Sequence, residues 1–368
     1  MRHDDTTARA ADGPPADRPH DKPSDKPRKR SGGKRRGFFR RHPVLLSALV
    51  LLGVLVTGTL VFAFYLNAQL GQIDRLELGD IPDDRRPAQV EGDAVNILLA
   101  GVDEGDGRSI AEIQEGGWDP GVLRTDTIMV LHLTADRQRA YVISIPRDSY
   151  VRLHGDDGRS QEMNKINAAF SLYGPTAYLS TVENLTNLRM DHLAVVDLAG
   201  FEDITNALGG VTLTIPGEGT QQLDGEESLK YVRTRYGLAG GDFDRIDRQQ
   251  NFLRAMLGET LSAGTLTNPF TLTPTIKSVV GNLTVDEEFD TAEIRGLALS
   301  LRGLRTGDVT FLTAPFGSFG STDVGSIVRL DQAQSEELWQ ATANDRIGDY
   351  IEEYAAESEQ LPKPGDVN

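Results

Sequence analysis

Between residues 94 and 146 the apolar positions come in three short runs, AVNILLAGV, TIMVLHLTA and RAYVISIP. Each is rich in β-branched residues and has the length of a strand, so three strands are predicted. From Asn167 to Leu188 the apolar spacing changes to that of a helix, broken or kinked near Gly174–Pro175. DHLAVVDL predicts a strand, FEDITNALGG a helix stopped by glycine, and VTLTIP a further strand. A long helix is predicted for FDRIDRQQNFLRAMLGETLSAG, where Phe243, Ile246, Phe252, Leu253, Met256 and Leu257 fall near one face. Two more helices fit Thr271–Val285 and Thr291–Leu304, a strand fits DVTFLTAPFG, and a last helix fits Gln332–Asn344. Such alternation argues an α/β/α layered domain, with helices on both faces of a sheet.

The N-terminal pattern is of another kind. Val44 to Leu66 is a run of 23 residues without a charge. As a helix it spans the roughly 30 Å hydrocarbon core of a bilayer with some tilt. A signal peptide has a shorter apolar core of about 7–15 residues, so the run is expected to be a retained anchor. Basic residues flank only its N-terminal side, which places that end in the cytoplasm. Residues 1–43 hold 13 Lys/Arg and 6 Asp/Glu, a net of +7; the remainder holds 25 and 49, a net of −24, and together they give −17. The expected organisation is a disordered basic tail over 1–43, a transmembrane helix over 44–66, a stalk over 67–92, an extracytoplasmic globular domain over 93–350 and an acidic tail over 351–368. The basic tail comes with no nucleic-acid-reading motif, so no nucleic acid is expected as partner. The chain has no cysteine, which excludes disulfides, a thiol nucleophile and thiolate metal sites.

Charge then draws attention to YVRTRYGLAGGDFDRIDRQQ, Tyr231 to Gln250, which holds four arginines in an acidic chain. Arg233 and Arg235 flank Thr234 in a strand-like segment, so the two-residue period puts both on one face. Arg245, Arg248 and Gln249 share a face at the start of the following helix. GLAGG between them is expected to fold the helix start back towards the strand end. Such a gathering suits phosphate oxygens, which guanidinium forks and a helix N-terminus both bind. The alternative is a solvated face paired with Asp242, Asp244 and Asp247. A second group sits at predicted strand ends: Asp103 after NILLAG, Arg124 and Asp126 before TIMVLHL, and Arg147 and Asp148 after YVISIP. Ligands gather at carboxyl ends of strands in α/β sheets. Two carboxylates among arginines make sense if a divalent metal bridges them to phosphate. His132, His154 and His192 have no nucleophile signature beside them, and EGDGRS lacks the Walker lysine.

NILLAGVD, RTDTIMV, ISIPRDSYV, NKINAAF, ALGGV and YVRTR…DFDRIDRQQ resemble, in this order, the motifs of LytR-CpsA-Psr proteins over roughly residues 93–260. The resemblance implies an α/β/α sandwich with a mixed central sheet. It implies a membrane-anchored phosphotransferase that moves a glycopolymer from a polyprenyl-pyrophosphate carrier to a peptidoglycan hydroxyl. Asp103 and Asp126 correspond to magnesium ligands, with manganese as the alternative ion. Arg124, Arg147, Arg233, Arg235, Arg245 and Gln249 correspond to the pyrophosphate clamp, and Arg248 falls outside it as a structural partner. Asp126, Arg147 and Asp148 are the candidate catalytic residues, Asp126 or Asp148 serving as base, or Asp148 orienting Arg147. The polymer stays open, arabinogalactan and teichoic acid being the classes considered. Two other readings use the same features: a polyprenyl-pyrophosphate phosphohydrolase, and a non-enzymatic envelope regulator or scaffold. RTDT for the commoner RSDT keeps a hydroxyl, whereas YGP for YGG leaves the local loop shape open. EGDGRSIAEIQEGGWDPGVL is expected as a long loop at the site mouth.

Overall fold

A computed structural model describes residues 43–89, 92–104, 110–215, 218–234, 242–262, 264 and 268–354. The chain divides into two units, residues 1–59 and 60–368. Helix α1 (Pro43–Leu70) supplies all that is described of the first unit. Within it Leu52–Leu70 is long and apolar enough to cross a membrane. Leu52, Val54, Val56, Leu60, Val61 and Phe64 are all exposed, as suits a helix whose surroundings are apolar on every side.

In the second unit seven strands form the central sheet: β1 (Asp74–Leu76), β2 (Val95–Glu104), β3 (Leu123–Leu133), β4 (Ala140–Ser144), β7 (His192–Asp197), β10 (Leu283–Asp286) and β11 (Val309–Thr313), in the order β1-β10-β7-β2-β3-β4-β11. The pairs β1–β10, β7–β2 and β4–β11 are parallel and the other three antiparallel, so the sheet is mixed. Its middle is buried on both faces, which is why AYVI and ILLA read as unbroken apolar runs. Leu98, Ala100 and Val102 of β2 join one core with Phe170, Tyr178 and Trp339. Ile97 on the opposite face joins Val280, Val285 and Phe289. The first face is covered by α3 (Asn167–Tyr173), α4 (Pro175–Thr186), α10 (Gln332–Ala343) and α11 (Ile347–Glu353). The second is covered by α7 (Asp242–Thr260), α8 (Pro269–Gly281) and α9 (Thr291–Ser300). A smaller core gathers α5 (Leu198–Leu208), α6 (Gly225–Arg233), α7 and the hairpin β8 (Val211–Ile215)–β9 (Gly219–Leu223). Two more hairpins stand apart from the sheet: β5 (Tyr150–His154)–β6 (Ser160–Lys165) and β12 (Phe316–Thr322)–β13 (Gly325–Leu330). This is the α/β/α sandwich with a mixed sheet that the sequence led us to expect.

Several local expectations are corrected. Helix α8 stops at Gly281, and Leu283–Asp286 is a sheet strand rather than the end of that helix. Four residues (LTVD) are too few for their spacing to separate the two. The sheet also takes Asp74–Leu76 from the segment expected as a stalk. Arg233 does not lie in a strand but closes α6, whose start is fixed by the reciprocal Asp224–Glu227 capping box. The glycine-rich insertion is in part core: α2 (Ile110–Glu115) buries Ile110 and Ile113, and Trp118 meets Phe170 edge-on at 5.3 Å. Residues 105–109 lie outside the described residues. Tyr173-Gly174-Pro175 is the expected break. Gly174 takes φ +91° against the Trp118 ring, and Pro175 opens α4 at a position where its missing N–H is no loss.

Candidate functional site at the carboxyl edge of the sheet

Strands β2, β4, β7 and β11 run in one direction, and antiparallel β3 starts where they end. The topology therefore brings Asp103, Arg124, Asp126, Arg147 and Asp148 to a single edge of the sheet. Asp103 and Arg124 are register partners on β2 and β3. Nearby the pairing passes from Gly101–Thr127 to Val102–Thr125 and leaves Asp126 as an extra residue. Such a bulge turns a side chain out of the ladder and is common beside active sites. Gly101 makes room for it: a Cβ there would lie 2.9 Å from Cβ of Thr127.

Arg147 links the acidic residues. Its Nη1 donates to Oδ1 of Asp126. Its Nε lies 3.8 Å from Oδ2 of Asp148, whose Oδ1 is 3.0 Å from Nζ of Lys165. The backbone around them is held from several sides. Ile145 N–H donates to Ile128 (2.9 Å), Ser149 N–H to Pro146 (2.9 Å), Ile166 N–H to Ser149 (2.8 Å) and Val328 N–H to Asp148 (2.9 Å). Lys165 was not singled out from the sequence, although it stands in NKINAAF. As register partner of Tyr150, which lies two residues beyond Asp148, it is brought back to the turn by the β5–β6 pairing alone.

Helix α7 is fixed to the same edge by Gln250. Its Nε2 donates to Oγ of Ser144 (2.7 Å), the carbonyl of Leu312 (3.1 Å) and Oγ1 of Thr313 (3.3 Å), at the ends of β4 and β11. Leu253 continues onto Met129, Val142 and Phe311 over the middle of the sheet. The turns before Gln250 consequently project past the edge. They carry Arg245, only 2% exposed, and the half-buried Gln249. Arg248 lies 4.9 Å from the ring centroid of Tyr231. Burial raises the Tyr231 phenol above its ordinary pKa, so it stays neutral while receiving Nδ2 of Asn251 at 3.4 Å. Arg124 and Arg233 are exposed. Arg235, the GLAGG turn and the side chain of Asp103 lie outside the described residues.

A family model described as the LytR_cpsA_psr family matches residues 77–344. The chain belongs to this family. Among LytR_cpsA_psr relatives, it is 39% identical over 305 residues to the probable cell wall biosynthesis protein LcpB of Corynebacterium glutamicum, covering 78% of this chain and 69% of that one. It is 27% identical over 266 residues to the polyisoprenyl-teichoic acid–peptidoglycan teichoic acid transferase TagU of Bacillus subtilis, covering 68% and 81%. The crystal structure of Bacillus subtilis TagV, 25% identical, superposes with a TM-score of 0.56 over 70% of this chain and 98% of that one.

In this LytR_cpsA_psr chain the three described histidines have structural partners. His132 bonds Asn96 and Asp345, His192 lies between Asp286 and Glu293, and His154 faces Ser160. Among the described residues no group of three His, Asp or Glu side chains is arranged to hold a metal.

Proposed function

We propose that the protein is a membrane-anchored phosphotransferase that moves a glycopolymer from a polyprenyl-pyrophosphate carrier to a peptidoglycan hydroxyl. The observation that carries this reading is the chain of contacts Lys165–Asp148–Arg147–Asp126 at the sheet edge, under the projecting start of α7. Membership of the family, with relatives named for cell wall biosynthesis and teichoic acid transfer, supports it. The pyrophosphate binds Arg124, Arg147, Arg233, Arg235, Arg245 and Gln249. Guanidinium forks neutralise charge on the phosphate oxygens as it shifts in the transition state. An acceptor hydroxyl oxygen attacks the sugar-linked phosphorus, the bond to the bridging oxygen breaks, and polyprenyl phosphate leaves with the electron pair. The hydroxyl proton passes to a carboxylate of the pair Asp126 and Asp148.

Magnesium, or manganese in its place, fits the donor chemistry. Asp103 and Asp126 are two carboxylates on neighbouring strands, the number such an ion takes when phosphate oxygens complete its shell. Bound there, it would neutralise developing charge on the pyrophosphate. The basic residues before α1 support an orientation with the N-terminus in the cytoplasm and the catalytic domain outside.

The test is transfer by the full-length protein in nanodiscs, with lipid-linked donor and peptidoglycan strands. Arg147→Lys and Asp126→Asn should each lower kcat by roughly 10²-fold. Rates near wild type in both would remove the site. Release of free phosphopolymer at equal rates with and without acceptor would instead identify a hydrolase.

A further inference from the structure

A second recess begins two residues past Asp148. Val151 and Leu153 of β5 turn into the core, which leaves Tyr150, Arg152 and His154 on the other side of the strand. Met163 of β6 is the register partner of Arg152. Facing them, Arg329 of β13 holds its guanidinium 5.8 Å from the Tyr150 ring centroid. The end of α4, at Asn184 and Leu185, and the start of α10 complete a groove of about 840 Å³.

We propose that this groove binds the acceptor, a glycan strand whose peptide stems carry carboxylates. The inference rests on the transferase reading and names where its second substrate lies. Three observations favour such an occupant. The first is continuity with the reacting edge. Val328, next to Arg329, donates its N–H to the Asp148 carbonyl, and Lys165, the register partner of Tyr150, holds the Asp148 carboxylate. A strand lying on Tyr150 and Arg329 therefore runs beside the residues that receive its hydroxyl. The second is charge. The chain beyond residue 43 carries a net of −24, yet the groove presents Arg152 and Arg329. The acidic residue in its wall, Asp331, is turned to its own helix, where it caps α10 by accepting the Gln334 N–H at 3.0 Å. The third is the mixed chemistry of the wall. A tyrosine face with apolar neighbours suits the C–H face of a sugar ring, and guanidinium forks suit carboxylates. A neutral polymer would not need the arginines, and a simple polyanion would not need Tyr150 and Met163.

The experiment measures binding of fluorescent, uncross-linked glycan strands with intact stem peptides to the full-length protein in nanodiscs. Arg329→Gln and Tyr150→Ala should each raise Kd about tenfold, and Arg152→Gln combined with Arg329→Gln should raise it further. Arg159→Gln, an exposed charge in the β5–β6 turn, is the control and should leave Kd unchanged. Melting curves confirm folding, and the exposed Arg329 carries the test if Tyr150→Ala does not fold. In transfer assays the same variants should raise KM for the acceptor. Unchanged Kd in the double arginine variant would overturn the proposal. So would equal affinity for strands stripped of their peptides, or equal displacement by dextran sulfate and by unlabelled strands. Groove-dependent binding without any polymer transfer by the wild type would instead count against the transferase reading alone.

Discussion

At the scale of single residues, two uncharged positions govern how the charged ones are presented. Gly101 leaves the space that Thr127 fills at the bulge, with 2.9 Å between a Cβ at Gly101 and that of Thr127. Gly101→Ala should force the ladder apart where Asp126 emerges. We expect a stability loss of about 1–3 kcal/mol from overpacking, and a fall in kcat of roughly 10²-fold if Asp126 shifts by an ångström. Thermal melts and turnover on one preparation test both. A variant with normal kcat would show that the bulge does not position the carboxylate. Gln250 is fully buried and donates to three acceptors. Gln250→Ala leaves those acceptors without their donor, at a cost of about 1–3 kcal/mol. It should also slow transfer, because Arg245 and Gln249 ride on the same helix. Restored stability without restored turnover on adding lipid-linked donor would separate the two effects.

At the scale of elements, His192 clasps β7 to the segment joining β10 and α9. Its Nδ1 lies 3.4 Å from Asp286, its Nε2 lies 3.3 Å from Glu293, and its ring stacks on Phe289 at 3.9 Å. Burial disfavours the charged ring, but Asp286 and Glu293 outweigh it and hold the pKa above the ordinary histidine value. The clasp's contribution is therefore complete below about pH 6.5, the unfolded value. It fades as pH rises through the higher folded value. Buried His132 acts in the opposite sense. Burial lowers its pKa despite Asp345, so its contribution is complete above the unfolded value and is lost as pH falls. His192→Gln isolates the first effect. The melting temperature should differ most from wild type near pH 5.5 and least near pH 8, and a difference independent of pH would refute the ionic clasp. The elements also explain why the arginine stretch needed correction. Val232 and Thr234 favour a strand locally, but the Asp224–Glu227 capping box starts a helix that carries the chain to Arg233.

At the scale of the whole molecule, the charge divides at the apolar helix. A net of +7 precedes it and −24 follows. In the proposed orientation a phosphatase reporter fused after Asn368 should be active in intact cells, and one fused before Met1 inactive. The reverse pattern would overturn the orientation. In that proposed orientation the basic segment 1–43 would meet the anionic cytoplasmic leaflet, which attracts such segments.

The sequence by itself determined the layered α/β class, the apolar helix and most of the charged residues at the sheet edge. The physical reason is that strand alternation, helical spacing and charge are local and survive without neighbours. It also located the break at Gly174–Pro175, because backbone freedom and its loss belong to single residues. Only the tertiary structure decided that Leu283–Asp286 is a strand, since so short a segment takes its state from the partner beside it. Only the β2–β3 register showed Asp126 on a bulge, and only the β5–β6 pairing returned Lys165 to Asp148. The contact of Gln250 with two strand ends joins residues 106 and 62 positions apart, a separation that no local pattern encodes.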